Sequence, residues 1–267
     1  MAVLALSVVA ADGAVRHRAS DVDEVTLGWR GAYEPGDRLV VTCDEDPALL
    51  VVKLDECLAE SHVLLRGGRF EFPIPVGAPE EVAYGKGRAF TDERHWAYVR
   101  VEDELERDAW RNLALNSHDL KLAEGGEVRL FPHASTNVAC DNPQFFARNA
   151  IDGVFETCSH GSWPHESWGI NGNPEAWLRV DFGGPVVADE LRLYLRADFP
   201  HDTWWSSARL ELSSGEDLPL ALAKTGARQS FDLEGRTVEW VRLHALVRAE
   251  TEGFPGLSQL QLWGRRA

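Results

Sequence analysis

Residues 190–196 read ELRLYLR. Leu191, Leu193 and Leu195 recur at every second position, a period that only a β-strand turns into one continuous apolar face. Arg192, Tyr194 and Arg196 then share the opposite face, and Arg196 ends the strand pointing away from the core. The same alternation recurs in RFEFPIPV (69–76), through Phe70, Phe72, Ile74 and Val76, and in EWVRLHAL (239–246), through Val241 and Leu243. Turn-forming clusters separate such runs: EPGD (34–37), RGGR (66–69), SSGED (213–217) and LEGR (233–236). Helical periodicity is confined to ELERDAWRNLALN (104–116), a short helix at most. Closely spaced strands with turn signals between them predict an all-β chain built of antiparallel sandwiches.

A division falls near LAEGGE (122–127), giving a domain over 1–127 and a second over 128–267. Seven of the ten tryptophans lie beyond it. No low-complexity linker separates the halves, so the two β-sandwiches are expected to pack together. Acids outnumber bases 43 to 27, a net charge of −16. Such a surface repels phosphate backbones and anionic head groups, which argues against nucleic-acid and membrane partners. The excess is 25 to 14 in residues 1–127 and 18 to 13 in 128–267, so the second half is closer to neutral.

The opening MAVLALSVVAADGAV lacks a basic start and meets Asp12 early. It reads as a first strand rather than a signal peptide, and the expectation is a cytoplasmic protein. Cys43, Cys57, Cys140 and Cys158 form no CxxC pair, and free thiols are the expectation in a reducing compartment. Cys140 and Cys158 with His160 and His165 match no compact zinc module.

The stretch LRADFPHDTWWSSA (195–208) sets Arg196, Asp198, His201 and Asp202 beside Trp204 and Trp205. A core would take the indoles without the charges, and a solvated loop the charges without the indoles. A sugar asks for both: its C–H face stacks on an aromatic plate, and its hydroxyls need donors and acceptors at the rim. CSHGSWPHESWGINGN (158–173) is a second loop of the same kind, with His160 and Trp163. The plainer reading is loop scaffolding, with Arg196 pairing with Asp198 or Asp202, one of Trp204 and Trp205 turned inward, and Trp177, Trp240 and Trp263 as core or loop-packing residues.

From Phe131 to Gly264 the chain resembles the discoidin domain, the coagulation factor V/VIII C-type domain, and within it the family 32 carbohydrate-binding modules. The resemblance is carried by ASTNV (134–138), ARNAIDGVFET (147–157), AWLRVDFG (176–183), ELRLYLR and LSQLQLWG (257–264). It implies an eight-stranded, galactose-binding-like jelly roll and a non-catalytic, lectin-like role. It also implies a site combining a histidine, an aromatic residue and an arginine, carried here by His160, Trp163 and Arg196. Asp198, His201, Asp202 and Trp204 complete the expected carbohydrate-binding set.

The resemblance places calcium ligands at Asp152 and Thr157. Val154 and Gln259 stand where further acids are usual, so no cofactor is required and a structural calcium stays open against a plain turn at Asp152–Gly153. No GxSxG, HExxH, P-loop or GxGxxG signature occurs, and the chain is read as non-catalytic. In the first half the densest cluster, Asp92 to Trp96, reads as a charged turn before a strand. Two alternatives remain: Trp-rich loops docking a protein or a second copy of the chain, and a glycan-processing enzyme with its chemistry in residues 1–127.

Overall fold

The computed structural model describes every residue except 92 and 198–202. The chain is all-β, as its alternation predicts. The first sandwich is built from β1 (Val3–Val9), β2 (Val15–Val22), β3 (Glu24–Arg30), β4 (Arg38–Cys43), β5 (Ala48–Lys53), β6 (Ser61–Leu65), β7 (Arg69–Pro73) and β8 (Arg94–Val101). One antiparallel sheet runs β2-β1-β4-β7, and the facing one carries β6-β5-β8-β3. Each sheet contributes alternate residues to a shared core: Leu4, Leu6, Leu39 and Phe72 from one, Leu50, Val52, Ala97 and Val99 from the other. In β3, Val25, Leu27 and Trp29 point inward while the residues between them are exposed, as a half-buried edge strand requires.

A short helix, α1 (Glu104–Arg107), leaves this sandwich. Asp103 accepts from the Glu106 amide and Glu106 accepts from the Asp103 amide, so each satisfies one donor of the helix start. The helix stops well short of the expected span because residues 111–112 are claimed as a strand. That strand, β9 (Arg111–Asn112), pairs with the last strand of the second sandwich. Leu113 and Ala114 then enter the second core. In return, β10 (Leu130–Phe131) pairs with β6 of the first sandwich. The 127/128 division therefore lies between two strands exchanged across the junction.

Within the segment joining them, Asn116–Ser117–His118–Asp119 is wholly buried. Each polar group finds a partner: Asn116 Nδ2 donates to Pro132 O, Ser117 Oγ to Ala59 O, and Leu54 N donates to His118 Nε2. Asp119 accepts from Ala134 N and meets His133 Nδ1 at 2.7 Å. A junction satisfied in this way is fixed rather than sliding.

The second sandwich comprises β11 (His133–Thr136), β12 (Trp168–Gly169), β13 (Leu178–Leu195), β14 (Trp205–Leu212), β15 (Asp217–Ala221), β16 (Gln229–Arg248) and β17 (Gly256–Arg266). Its sheet runs β12-β17-β13-β16-β14-β15, with β11 on β13. The two long strands make the closure. β13 changes register against β16 between Asp181 and Val186 and again between Ala188 and Glu190. Such irregularities bend a strand, so the first part of β13 pairs with β11 and its second part with β17. Leu191, Leu193, Leu210, Leu243, Leu260 and Leu262 fill the interior with Trp168 and Trp205, whose ring centroids are 6.0 Å apart.

Trp177, Trp240 and Trp263, expected as core or loop-packing residues, are half-buried and outside the core. Their neighbours explain it: Leu178, Val241 and Leu262 face inward, so the alternation turns these indoles outward. There Arg179 covers Trp240 at 4.3 Å and Arg192 covers Trp263 at 4.2 Å.

Candidate functional site

At one end of the second sandwich, β13 finishes and β17 begins beside each other, and the segments around 140–145 and 160–171 close over them. They enclose an open cleft of about 490 Å³. Arg196 and His160 line it together with Phe145, Asn171, Phe254 and Pro255. The cleft thus unites two of the residues singled out in the sequence.

Arg196 does not swing into solvent as the strand alternation suggests; it is 5% exposed. A register shift against β17 between Tyr194 and Leu195 ends the simple alternation one residue earlier. The Arg196 amide donates to Gly256 O at 3.0 Å, and its guanidinium Nη2 donates to Phe254 O. Gly256 sits close to both: a Cβ there would lie a tight 3.2 Å from Ser167 Oγ and in ordinary contact, 3.6 Å, with Arg196 Nη1. The arginine is thus a wall of the cleft and the tie that fixes the segment carrying Phe254. That ring, 67% exposed, stands at the cleft with no large share in the core. Opposite, Asn171 is held in a left-handed backbone conformation (φ 47°) and donates from Nδ2 to Ala139 O at 3.0 Å.

The other expected residues lie elsewhere. Trp163 is turned toward the first sandwich: its amide donates to Val82 O at 2.9 Å, and Arg88 lies over its ring at 4.0 Å. Trp204 packs half-buried against the second core, with Lys224 5.0 Å from its ring centre, while Trp205 is fully buried. Asp198, His201 and Asp202 lie outside the described residues. Phe254 and Phe145 were not singled out in the sequence, whereas Asn171 lies in the second loop, 158–173, quoted there. For Phe254 the one local signal is an aromatic residue between Gly253 and Pro255, too common a pattern to mark a site.

In the first sandwich, the Glu93–Trp96 stretch holds no cleft of this kind among the described residues. His95 is buried between Trp29 and Tyr33, with centroids at 4.9 and 4.3 Å, and its Nε2 meets Gly31 O at 2.9 Å. It is a packed core histidine.

A smaller cavity, about 260 Å³, lies at the junction beneath Trp163. Asp152 and Glu166 line it, both buried and facing each other. Burial pushes both carboxyls upward; for Glu166 the Asp152 charge adds to it, whereas for Asp152 the neighbouring Arg148 works against it. The two carboxyls are close enough to share a hydrogen bond, which one of them can donate when protonated.

Calcium implied near Asp152 and Thr157 calls for six to eight oxygen ligands. The donors found there are otherwise engaged. Asp152 Oδ1 accepts from Val154 N at 2.9 Å, Thr157 O from Ala197 N at 2.8 Å, and Asn149 O from the side-chain amide of Gln259. Among the described residues, no group of three acids, histidines or cysteines is placed to hold a metal ion. All four cysteines are free thiols.

No family model and no curated protein matches the chain. Among solved structures it is similar to a point mutant of chitosan-binding module 1 from a chitosanase/glucanase of Paenibacillus sp. IK-5 (21% identity, 58% of this chain and 100% of that one, TM-score 0.42). It is also similar to the lectin domain of lectinolysin complexed with Lewis B antigen (16%, 59% and 98%, 0.41). A Streptococcus pneumoniae fucose-binding module gives 15%, 58% and 99%, with a TM-score of 0.40. These structural neighbours are carbohydrate-binding modules.

Proposed function

We propose that the second sandwich is a discoidin-type module that binds carbohydrate without catalysis, in the cleft lined by Arg196, His160 and Phe254. The observation that carries this reading is the coupling of an exposed ring to a buried guanidinium: Arg196 donates to the backbone of the residue whose ring it sets at the cleft. An aromatic face fixed at the edge of an open cleft suits the apolar C–H face of a pyranose. An arginine and a histidine facing the same space offer directional partners for vicinal hydroxyls. The cleft is large enough for a sugar ring and open enough for a longer chain to continue into solvent.

Docking of a protein by Trp-rich loops is the second reading. It has one observation behind it, the seating of Trp163 on the 82–88 turn, but that contact is made within the chain.

The test is a tryptophan-fluorescence titration against a panel of mono- and oligosaccharides, on wild type and Arg196→Ala, with a thermal melt of each. Saturable binding by wild type, lost in the variant at a temperature where both are folded, supports the reading. No response from wild type to any sugar overturns it.

A further inference from the structure

Gln259 is a wholly buried residue in the middle of β17, and both ends of its amide are used. Oε1 accepts from Gly153 N at 2.7 Å, and Nε2 donates to Asn149 O at 3.4 Å. These backbone groups belong to the 149–157 loop, where the resemblance places a calcium ion. The turn has no slack. Gly153 has φ +90°, and a Cβ on it would come within 2.8 Å of Leu115 Cδ1 and 3.6 Å of the Ala59 Cβ. Its position therefore depends on the bridge segment and the first sandwich as well as on β17.

A calcium ion organises such a loop by drawing carbonyl and carboxylate oxygens toward one positive centre. Here the Gln259 amide N–H already faces the Asn149 carbonyl, one of the oxygens the loop could offer an ion. The Gly153 amide needs an acceptor, and the other end of the same side chain supplies it. One neutral group thus satisfies a donor and an acceptor at once, with no buried charge to compensate. A carboxylate at 259 would leave the Asn149 carbonyl facing another acceptor and would bury an unpaired charge. The Asp152 carboxyl, turned toward Val154 N and Glu166, is directed to other partners.

We propose that the Gln259 amide replaces a divalent cation as the clamp between the 149–157 loop and β17, so that the chain binds calcium neither for stability nor for ligand binding. This rests on the geometry of the loop and is independent of the sugar reading.

The experiment uses the full chain, melted in chelator and in calcium chloride. Wild type is expected to melt at the same temperature in both and to show no calcium heat in calorimetry. Gln259→Met, which keeps the volume without the amide, is expected to melt roughly 5 °C lower and to ignore calcium. The pair Val154→Asp with Gln259→Glu is expected to melt low in chelator and to recover in calcium. A wild-type melt lowered by chelator, or a calcium heat, overturns the proposal. So does a Gln259→Met melt equal to that of wild type. Should the double variant fail to fold, these two measurements decide alone.

Discussion

Removing the Phe254 ring separates binding from folding more cleanly than any other change at the cleft. The ring is 67% exposed and contributes little to the core, while the tie from Arg196 goes to the backbone carbonyl, which alanine keeps. A phenyl side chain can bury about 150 Å² or more in all, and stacking one face on a sugar would cover about 60 Å² of it. At about 25 cal/mol per Å², that is about 1.5 kcal/mol, or about a tenfold weakening on Phe254→Ala. Folding should be nearly untouched, within about 0.5 kcal/mol, as for an exposed substitution. Calorimetric titration with the best sugar of the panel reads the first quantity, and urea denaturation the second. A folded variant that keeps its affinity within about twofold would refute the stacking argument and, with it, the assignment of the cleft.

Three further outcomes follow from the geometry. Trp163→Ala should leave sugar affinity unchanged while lowering the melting temperature by a few degrees, because its ring serves the contact with Arg88 at the junction; a loss of affinity in the melt-intact variant would return Trp163 to the site. Arg196→Lys keeps the charge but not the planar fork, and should weaken sugar binding while leaving the fold standing; equal affinity would show that only charge is needed there. His118 is held neutral by burial, which with Arg148 and Lys53 pushes it down to about 3. The unfolded chain takes up that proton near 6.5 and the folded one does not, so this contribution is complete above 6.5 and is lost as pH falls toward 3. His118→Gln should flatten the fall of the urea midpoint between pH 6.5 and 4, and slopes identical to wild type would sink the argument.

The parts of the fold legible in the sequence are those decided by immediate neighbours. Alternating leucines make β13 and place its inner face, and strand geometry requires one of Trp204 and Trp205 to turn inward, which Trp205 does. The outward turn of Trp177, Trp240 and Trp263 was missed by weighing the indoles alone, although the aliphatic residue beside each carries the signal. What escaped is set by partners distant in the chain. Arg196 turns inward because β17, some sixty residues on, shifts register against the strand that precedes it. Residues 111–112 abandon the helical pattern because a free edge of the second sheet recruits them. Phe254 belongs to the cleft only because Arg196 holds its carbonyl, a relation no spacing announces. The gathering of His160 and Arg196 in one cleft was legible as a loop-end pairing, whereas the turning of Trp163 toward the first sandwich was not.

The exchange of β9 and β10 across the junction bears on how such a chain could have been assembled. A domain that moves between genes as a bead on a string must carry its own edge strands, and neither half does so here. A fragment beginning at residue 128 would lack the Arg111–Asn112 strand and the Leu113 and Ala114 side chains of its core. One ending at 127 would lack the Leu130–Phe131 strand. Shuffling at that point would yield two unfinished sheets. The two halves therefore stand or fall together as folding units, and any grafting of the cleft onto another protein has to begin before residue 111 and carry the bridge with it.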